Sequence, residues 1–585
     1  MQYTIPHAFR EIALHMSSAP ALGQIRLGSV HTQSWRVYWD QCCAFAKALH
    51  AYSLPHGSRI GILGSNRSEW LVANLGSILA GHVPFGIYPT SSAEQIAYLL
   101  QHSEAKVLVV ESDAFRSQVG GRPSGLHVVQ IEPVQEPAGP ACVSWATFLQ
   151  TGTSIPGSHL QAAMDAQKPG DLATLVYTSG TTANPKAVML SHHNLLWTTH
   201  TAMEMSFRLE AQDVVLSYLP LSHIAEQINS LYGPILSGAQ VVFAESLSQL
   251  PQALGLVRPT FFIGVPRVWE KIQNKITFQV QQAPIWKRKL FALAQKIGQQ
   301  EAVLYQAGQP TSLLFSLMER LVYGKVKRSL GLDRCRLPVT GAAPIRQDTL
   351  QFFLGLNLPL YEIYGMSECT GPTTVSVPGI YKPGYAGKPI PGTEVQIASD
   401  GEVLMRGPHV CMGYLYDTDS FPLDEDGWLH SGDLGSLDAE GFLCIEGRKK
   451  NLIITAGGEN ISPEMIESQV SKIPGIEHAV VIGDQRKHLS LLITLDVEMA
   501  RVQAGQRGSK ANSRLELAHC PILYAYFEAE IQHINAGLAR VQTLKRFCIL
   551  DAGFCEAEGE LTPTQKIKRP IIEQHYKKEI QLLYG

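Results

Sequence analysis

Short apolar runs with the look of strands alternate with helix-spaced segments through the first third of the chain, and this alternation narrows the fold more than any other feature. Residues 58–65, SRIGILGS, form a continuous apolar run suited to a strand buried on both faces. SEWLVANLGSILAGHV follows with helical spacing and Ser68 at its cap. VPFGIYP then reads as strand and turn, SSAEQIAYLLQHS as a helix with Ser92 near its start, and AKVLVVES as another strand. Strands separated by helices cannot pair as tight hairpins, so the pattern argues for parallel α/β layers. The texture resumes further on with AQVVFAES and RPTFFIGVP, whereas residues 116–158, rich in Gly and Pro, read as a connecting segment.

Two later regions differ. Residues 281–330 carry helical periodicity, with WKRKLFALAQKIGQQEAVL and SLLFSLMERLVYGKVKRSL as amphipathic helices. Their cations, Lys287 to Lys289 and Lys325, Lys327 and Arg328, suit a solvated face, or one that meets anionic headgroups or a phosphate. From about residue 385 short strands are joined by D-G and E-G turns, which predicts β hairpins. A strand, a glycine turn and a helix led by Ser462-Pro463-Glu464 then open a new segment. The spacing predicts a domain boundary near Lys450, giving domains 1–449 and 450–585.

A net charge of −3 and pI near 6.7 give no electrostatic case for nucleic acid. Ten scattered cysteines without a C-x-x-C pair suit a reducing, cytoplasmic setting rather than a disulfide framework. The N-terminus lacks the basic start and apolar core of a signal peptide. No apolar run reaches the roughly 18 residues of a membrane span, which leaves peripheral membrane contact open, as is the oligomeric state.

The richest chemistry lies at 177–194, YTSGTTANPKAVMLSHHN. The strand-like LATLVY stops at Thr178, Ser179, Gly180, Thr181 and Thr182; Lys186 and a second strand-like run follow. Hydroxyls and backbone N–H groups crowded in one loop can donate to polyphosphate oxygens while a lysine offsets the charge. The ordinary P-loop is excluded, because Pro185 and Ala187 stand where it needs Gly and Ser/Thr.

This segment resembles the signature loop Y-T-S-G-T-T-G-x-P-K-G of the adenylate-forming (AMP-binding) superfamily. Ala183 and Ala187 stand where glycines are usual; alanine there is expected to cost flexibility or a positive-φ angle, and so rate. Further elements fall in the family's order over roughly residues 25–580. By position, the resemblance implies that Tyr364 and Gly365, with the small-residue turn at Gly341 and Ala342, meet adenine. It implies that Ser367 contacts the α-phosphate region and that Glu368 holds Mg²⁺. Asp433, in WLHSGDLG, would take the ribose hydroxyls, with Arg448 near the nucleotide. Lys450 would be the hinge, Gly457 and Gly458 the loop of the thioester step, Lys566 the adenylation lysine, and His223, in LPLSHIAE, the neighbour of the acyl carboxylate. A catalytic Ser–His–Asp triad is unsupported, and neither G-x-S-x-G nor the zinc pattern H-E-x-x-H occurs.

The chain is most similar to long-chain acyl-CoA synthetases of the bubblegum type, through GVPRVWEKI, YGMSECTGP, LIITAGGENISP, HLSLLITLDVEM and ELTPTQKIKRP. The fold so implied is a large multi-layer N-terminal α/β domain with a short β-barrel-like part, plus a small mobile α+β C-terminal domain. The activity implied is that of a long-chain fatty acid–CoA ligase, with ATP, Mg²⁺ and coenzyme A. Alternatives are loading of a carrier protein or other acceptor, or a nucleotide-binding homologue with impaired catalysis.

Overall fold

Val107, Leu108, Val109 and Val110 are all fully buried, and they divide by parity. Val107 and Val109 join Ile60 and Ile62 in one core, while Leu108 and Val110 join Phe85 and Leu175 in another. A strand covered on both faces needs the unbroken apolar run seen in the sequence. Each such side chain contributes about 1.5–3 kcal/mol relative to exposure.

The computed structural model describes residues 3–120, 123–134, 142–178, 184–206, 209–417, 419–457, 459–556, 558–562 and 566–585. The chain divides into two compact units, the first comprising Met1–Val395, Met405–Leu429 and Ala439–Leu443, the second Gln396–Leu404, His430–Asp438 and Cys444–Gly585.

The first unit contains two large sheets. A seven-stranded sheet runs in the order Cys142–Ser144, His127–Gln130, Val107–Val110, Arg59–Leu63, Val83–Ile87, Leu172–Thr178 and Lys186–Ser191. All its pairings are parallel except the last. A nine-stranded sheet has a parallel centre of Tyr361–Met366, Leu337–Gly341, Phe261–Gly264, Val214–Ser217 and Gln240–Phe243. These are the α/β layers expected.

Two local expectations need correction. Ser68 is the first residue of the helix Ser68–Leu79, not its cap; Arg67 holds the cap position. Its hydroxyl bonds the Glu69 side chain, at 3.0 Å. Ser92 does cap Ala93–His102, in a reciprocal capping box with Gln95. Residues 116–158 are more than a connection, for they supply His127–Gln130 and Cys142–Ser144 at one sheet edge and the helix Trp145–Thr151. Strands of three or four residues between Gly- and Pro-rich stretches are too short to show a period.

In the second unit, Ile476–Ile482, Leu489–Leu495 and Leu544–Ile549 form a three-stranded sheet. Here too parity sorts the side chains: Leu489, Leu491, Ile493 and Leu495 face one core, and Leu492 faces the other with Val480 and Ile482. The expected hairpins occur in the sheet of Glu394–Ile397, Glu402–Arg406, Leu429–Leu437 and Leu443–Arg448. Gly401 and Gly441 turn two of them with φ of 86° and 82°. Among the described residues no helix is long and apolar enough to cross a membrane.

Candidate active site

Leu172–Thr178 and Lys186–Ser191 pair antiparallel, with Thr178 opposite Lys186 and Tyr177 opposite Ala187. The hydroxyl-rich segment therefore leaves and re-enters the sheet at one point. Ser179, Gly180, Thr181, Thr182 and Ala183 lie outside the described residues. Ala187 is buried in the core with Leu175 and Leu415, and its φ is not positive. The expected backbone cost of alanine does not arise at this position; its Cβ fills core space instead.

Beside Lys186–Ser191 runs a second stretch of backbone. The Met189 N–H donates to the Gly413 carbonyl at 2.9 Å, and the Leu415 N–H to the Ala187 carbonyl at 2.9 Å. This fixes Tyr414 and Asp417 next to Lys186. The Lys186 ammonium lies 4.7 Å from the Tyr414 ring centre and 3.3 Å from the Asp417 carboxylate, and donates to the Ser420 hydroxyl. The Ser420 hydroxyl, then the Lys186 ammonium, hold the Asp417 carboxyl below its usual range. On its other side the Tyr414 hydroxyl donates to Glu368 Oε1 at 2.8 Å. Burial and the Glu368 carboxylate push that phenol well up. Tyr414 thus joins the candidate phosphate lysine to the candidate metal carboxylate, and the sequence reading missed it, together with Asp417 and Ser420. Ser420 stands 234 residues from Lys186, and no spacing rule links positions so far apart.

Glu368 follows the strand Tyr361–Met366, in the turn Ser367–Cys369. Gly365 in that strand is irreplaceable on steric grounds, because a Cβ there would lie 1.7 Å from the Gly371 carbonyl oxygen. Tyr364, Gly365, Ser367, Gly341, Ala342 and His223 all lie at or just beyond the carboxyl ends of neighbouring parallel strands, where open α/β sheets take ligands. Ala342 has φ +67°, a conformation that favours glycine. His223 caps the turn Ile224–Gln227, its Nδ1 accepting from the Ala225 N–H at 3.2 Å.

Three residues on, Glu226 is fully buried. Its Oε1 accepts from the Ser217 and Ser230 hydroxyls, each at 2.6 Å, while Oε2 has no hydrogen-bond partner among the described residues. Burial pushes this carboxyl up to about 8, so near neutral pH it is chiefly the uncharged acid. Sequence reasoning left Glu226 without a role; its place inside LPLSHIAE was the available signal.

The second unit assembles a different group. Asp433 is almost fully buried, and one of its oxygens lies 2.8 Å from Arg448 Nε. The next residue, Lys449, reaches Asp400 at 2.6 Å and Glu402 at 2.9 Å. Lys450 is exposed in the turn Lys449–Asn451, and Asn451 donates to Glu464 at 2.7 Å. Gly457 is exposed in a loop closed by Thr455 and Glu459, whose side chains bond at 2.6 Å; Gly458 lies outside the described residues. Lys566 is exposed; the Thr562 N–H donates to its carbonyl at 2.8 Å, and its own N–H to the Thr562 hydroxyl at 2.9 Å. Arg569 is structural, paired at 2.5 Å with Glu467.

No group of three or more His, Cys, Asp and Glu able to hold a metal occurs among the described residues. Mg²⁺ bound mainly through phosphate oxygens needs only one or two carboxylates. Glu368 fits, because the bond from the Tyr414 hydroxyl reaches its Oε1 alone.

The profile of the AMP-binding enzyme family matches residues 9–415, and that of the AMP-binding enzyme C-terminal domain matches residues 450–585. The chain is 36% identical to a human protein named long-chain-fatty-acid–CoA ligase ACSBG2, over 99% of this chain and 92% of that one. The Xenopus laevis protein of that name is 38% identical, over 99% and 84%. The solved structure of the anthranilate CoA ligase AuaEII with anthranoyl-AMP superposes with a TM-score of 0.74 at 18% identity, over 99% of this chain and 98% of that one. An A-PCP didomain of a carboxylic acid reductase from Segniliparus rugosus, in complex with AMP, superposes with a TM-score of 0.77 at 18% identity, over 100% and 82%. The mixed α/β fold is that of these enzymes.

Proposed function

The chain belongs to the AMP-binding enzyme family, and we propose that it is a long-chain fatty acid–CoA ligase acting through an acyl-adenylate. The observation that carries this reading is the array Lys186–Tyr414–Glu368. It sets a lysine suited to phosphate and a carboxylate suited to a metal on either side of one tyrosine, next to Thr178. The acyl class rests on the relatives named above.

In the first step a carboxylate oxygen of the fatty acid attacks the α-phosphorus of ATP and pyrophosphate leaves. Thr178 to Thr182 and Lys186 hold the β- and γ-phosphates. Tyr364, Gly365, Gly341 and Ala342 frame the adenine, and Ser367 contacts the α-phosphate. Asp433, oriented by Arg448, accepts from the ribose hydroxyls. His223 lies by the fatty carboxylate. Glu368 would hold Mg²⁺, which would supply neutralisation of phosphate charge. Lys566 bridges the attacking carboxylate and the α-phosphate, offsetting charge as it builds.

In the second step the CoA sulfur attacks the acyl carbon, the thiol proton is lost and AMP departs with the carboxylate oxygen it gained. Residues 450–585 turn about Lys450 to bring the loop of Gly457 and Gly458 to the site, since one site must serve two partners in succession. We place the enzyme in the cytoplasm, in keeping with ten free cysteines.

The test separates the half-reactions. Lys566→Ala is expected to abolish acyl-adenylate formation while sparing thioester formation from supplied acyl-adenylate. An equal loss in both would remove the lysine from its assigned role. Offering a phosphopantetheinyl carrier in place of CoA in the second assay separates CoA ligation from carrier loading.

A further inference from the structure

The helix Ile285–Gln306 and the helical run from Leu313 to Leu330 pack through their inner faces. The Tyr323 hydroxyl donates to the Ala294 carbonyl at 2.6 Å, and the rings of Tyr305 and Phe315 lie 5.3 Å apart. Ala294, Ile297, Ala302, Met318 and Val322 fill the space between.

Away from this core the hairpin exposes large apolar side chains where water would favour polar residues. Ile285 and Trp286, in the first helical turn, are 69% and 63% exposed. Leu313 is 92% exposed, and Leu317 and Leu321 extend it at the four-residue spacing that places them on one stripe. Exposed Lys287, Arg288 and Lys289 follow Trp286 directly.

Charge is as one-sided as hydropathy. Residues 281–330 hold eight Lys or Arg and two acids, in a chain whose net charge is −3. Both acids are engaged within the hairpin: Glu319 pairs with Lys327 at 2.8 Å, and Glu301 accepts from the Ser312 N–H and hydroxyl at 2.6 and 2.7 Å. The unpaired charge of this region is therefore basic.

We propose that this face docks on the surface of an anionic phospholipid bilayer. Ile285 and Trp286 seat at headgroup level, and Lys287, Arg288 and Lys289 pair with headgroup phosphates. Exposed apolar side chains bordered by charge of a single sign suit a broad surface of the opposite sign. Tryptophan beside a cation cluster is the side chain that favours the membrane–water interface. A second copy of the chain would bring the same basic face against this one and be repelled. The proposal adds a surface to the ligase reading without depending on it. If both hold, the enzyme meets its substrate where an apolar acyl chain partitions.

Full-length protein floated with vesicles of phosphatidylcholine, and with vesicles containing about one third phosphatidylglycerol, tests the assignment. Binding is expected to the anionic vesicles, to weaken with salt, and to fall on the order of a hundredfold when Lys287, Arg288 and Lys289 are all changed to Gln. Brominated lipid should quench part of the tryptophan emission, and Trp286→Phe should abolish that part. All these positions are exposed, so thermal unfolding and turnover of a short, water-soluble fatty acid should stay unchanged. Equal binding to neutral vesicles, unchanged binding by the triple variant, or quenching that survives Trp286→Phe would each overturn the proposal. So would a change in sedimentation mass without lipid for the Ile285→Ser, Trp286→Ser variant, which would point to a protein interface. Failure of the ligase reading would look different, as vesicle binding without turnover.

Discussion

At the residue scale the account turns on Tyr414. Its hydroxyl is bonded to Glu368 at 2.8 Å and its ring lies under the Lys186 ammonium, so one side chain touches both the candidate phosphate lysine and the candidate metal carboxylate. Tyr414→Phe keeps the ring and removes only the donor. Leaving a buried carboxylate short of a hydrogen bond costs about 1–3 kcal/mol. The adenylation rate is therefore expected to fall about tenfold or more, with a raised KM for Mg·ATP. Tyr414→Leu, which also removes the cation–π contact, should lose more. If ATP–pyrophosphate exchange by Tyr414→Phe matched that of the unaltered protein, Tyr414 would have no part in positioning Glu368.

At the scale of elements, the sequence discloses what is local and conceals what is distant. Strands such as Val107–Val110 announce themselves because both faces are buried and the run is apolar throughout. Cys142–Ser144 does not, since three residues carry no period and only its neighbour His127–Gln130 makes it a strand. Thr178, Lys186 and Glu368 could be named from short runs; Tyr414 and Asp417 could not, because the backbone pairing at Val188 and Tyr414 brings them in. The burial of Glu226 in the turn Ile224–Gln227 belongs to the concealed class, for the run LPLSHIAE marks its position but not that it is buried. An unfolded glutamate ionises near pH 4.3, whereas the folded Glu226 does so at about 8. Between these values the folded chain binds a proton that the unfolded chain has lost, so this residue makes stability fall as pH rises. The slope is at most about 1.4 kcal/mol per pH unit, and it levels off above the folded value. Glu226→Gln retains the uncharged shape and removes the slope. Denaturant unfolding of both proteins from acid to mildly alkaline pH should show the variant gaining relative stability across that window. Parallel curves would mean that Glu226 is ionised in the fold.

At the scale of the whole molecule, the residues assigned to adenylation are divided between two units. Lys186, Tyr364 and Glu368 belong to the first, and Asp433, Arg448 and Lys566 to the second. Of these only Lys566 lies in residues 450–585, and a reaction of two chemically distinct steps gives a reason to carry it there, since a group needed early must make way for those needed late. The central claim is that a fatty carboxylate becomes an adenylate on this chain before it becomes a thioester, and the fate of one oxygen atom decides it. Palmitate labelled with heavy oxygen in its carboxylate should be turned over with ATP, Mg²⁺ and CoA, and the nucleotide product weighed by mass spectrometry. The account predicts AMP carrying one heavy oxygen for every acyl-CoA formed. Unlabelled AMP, or ADP in its place, would contradict it.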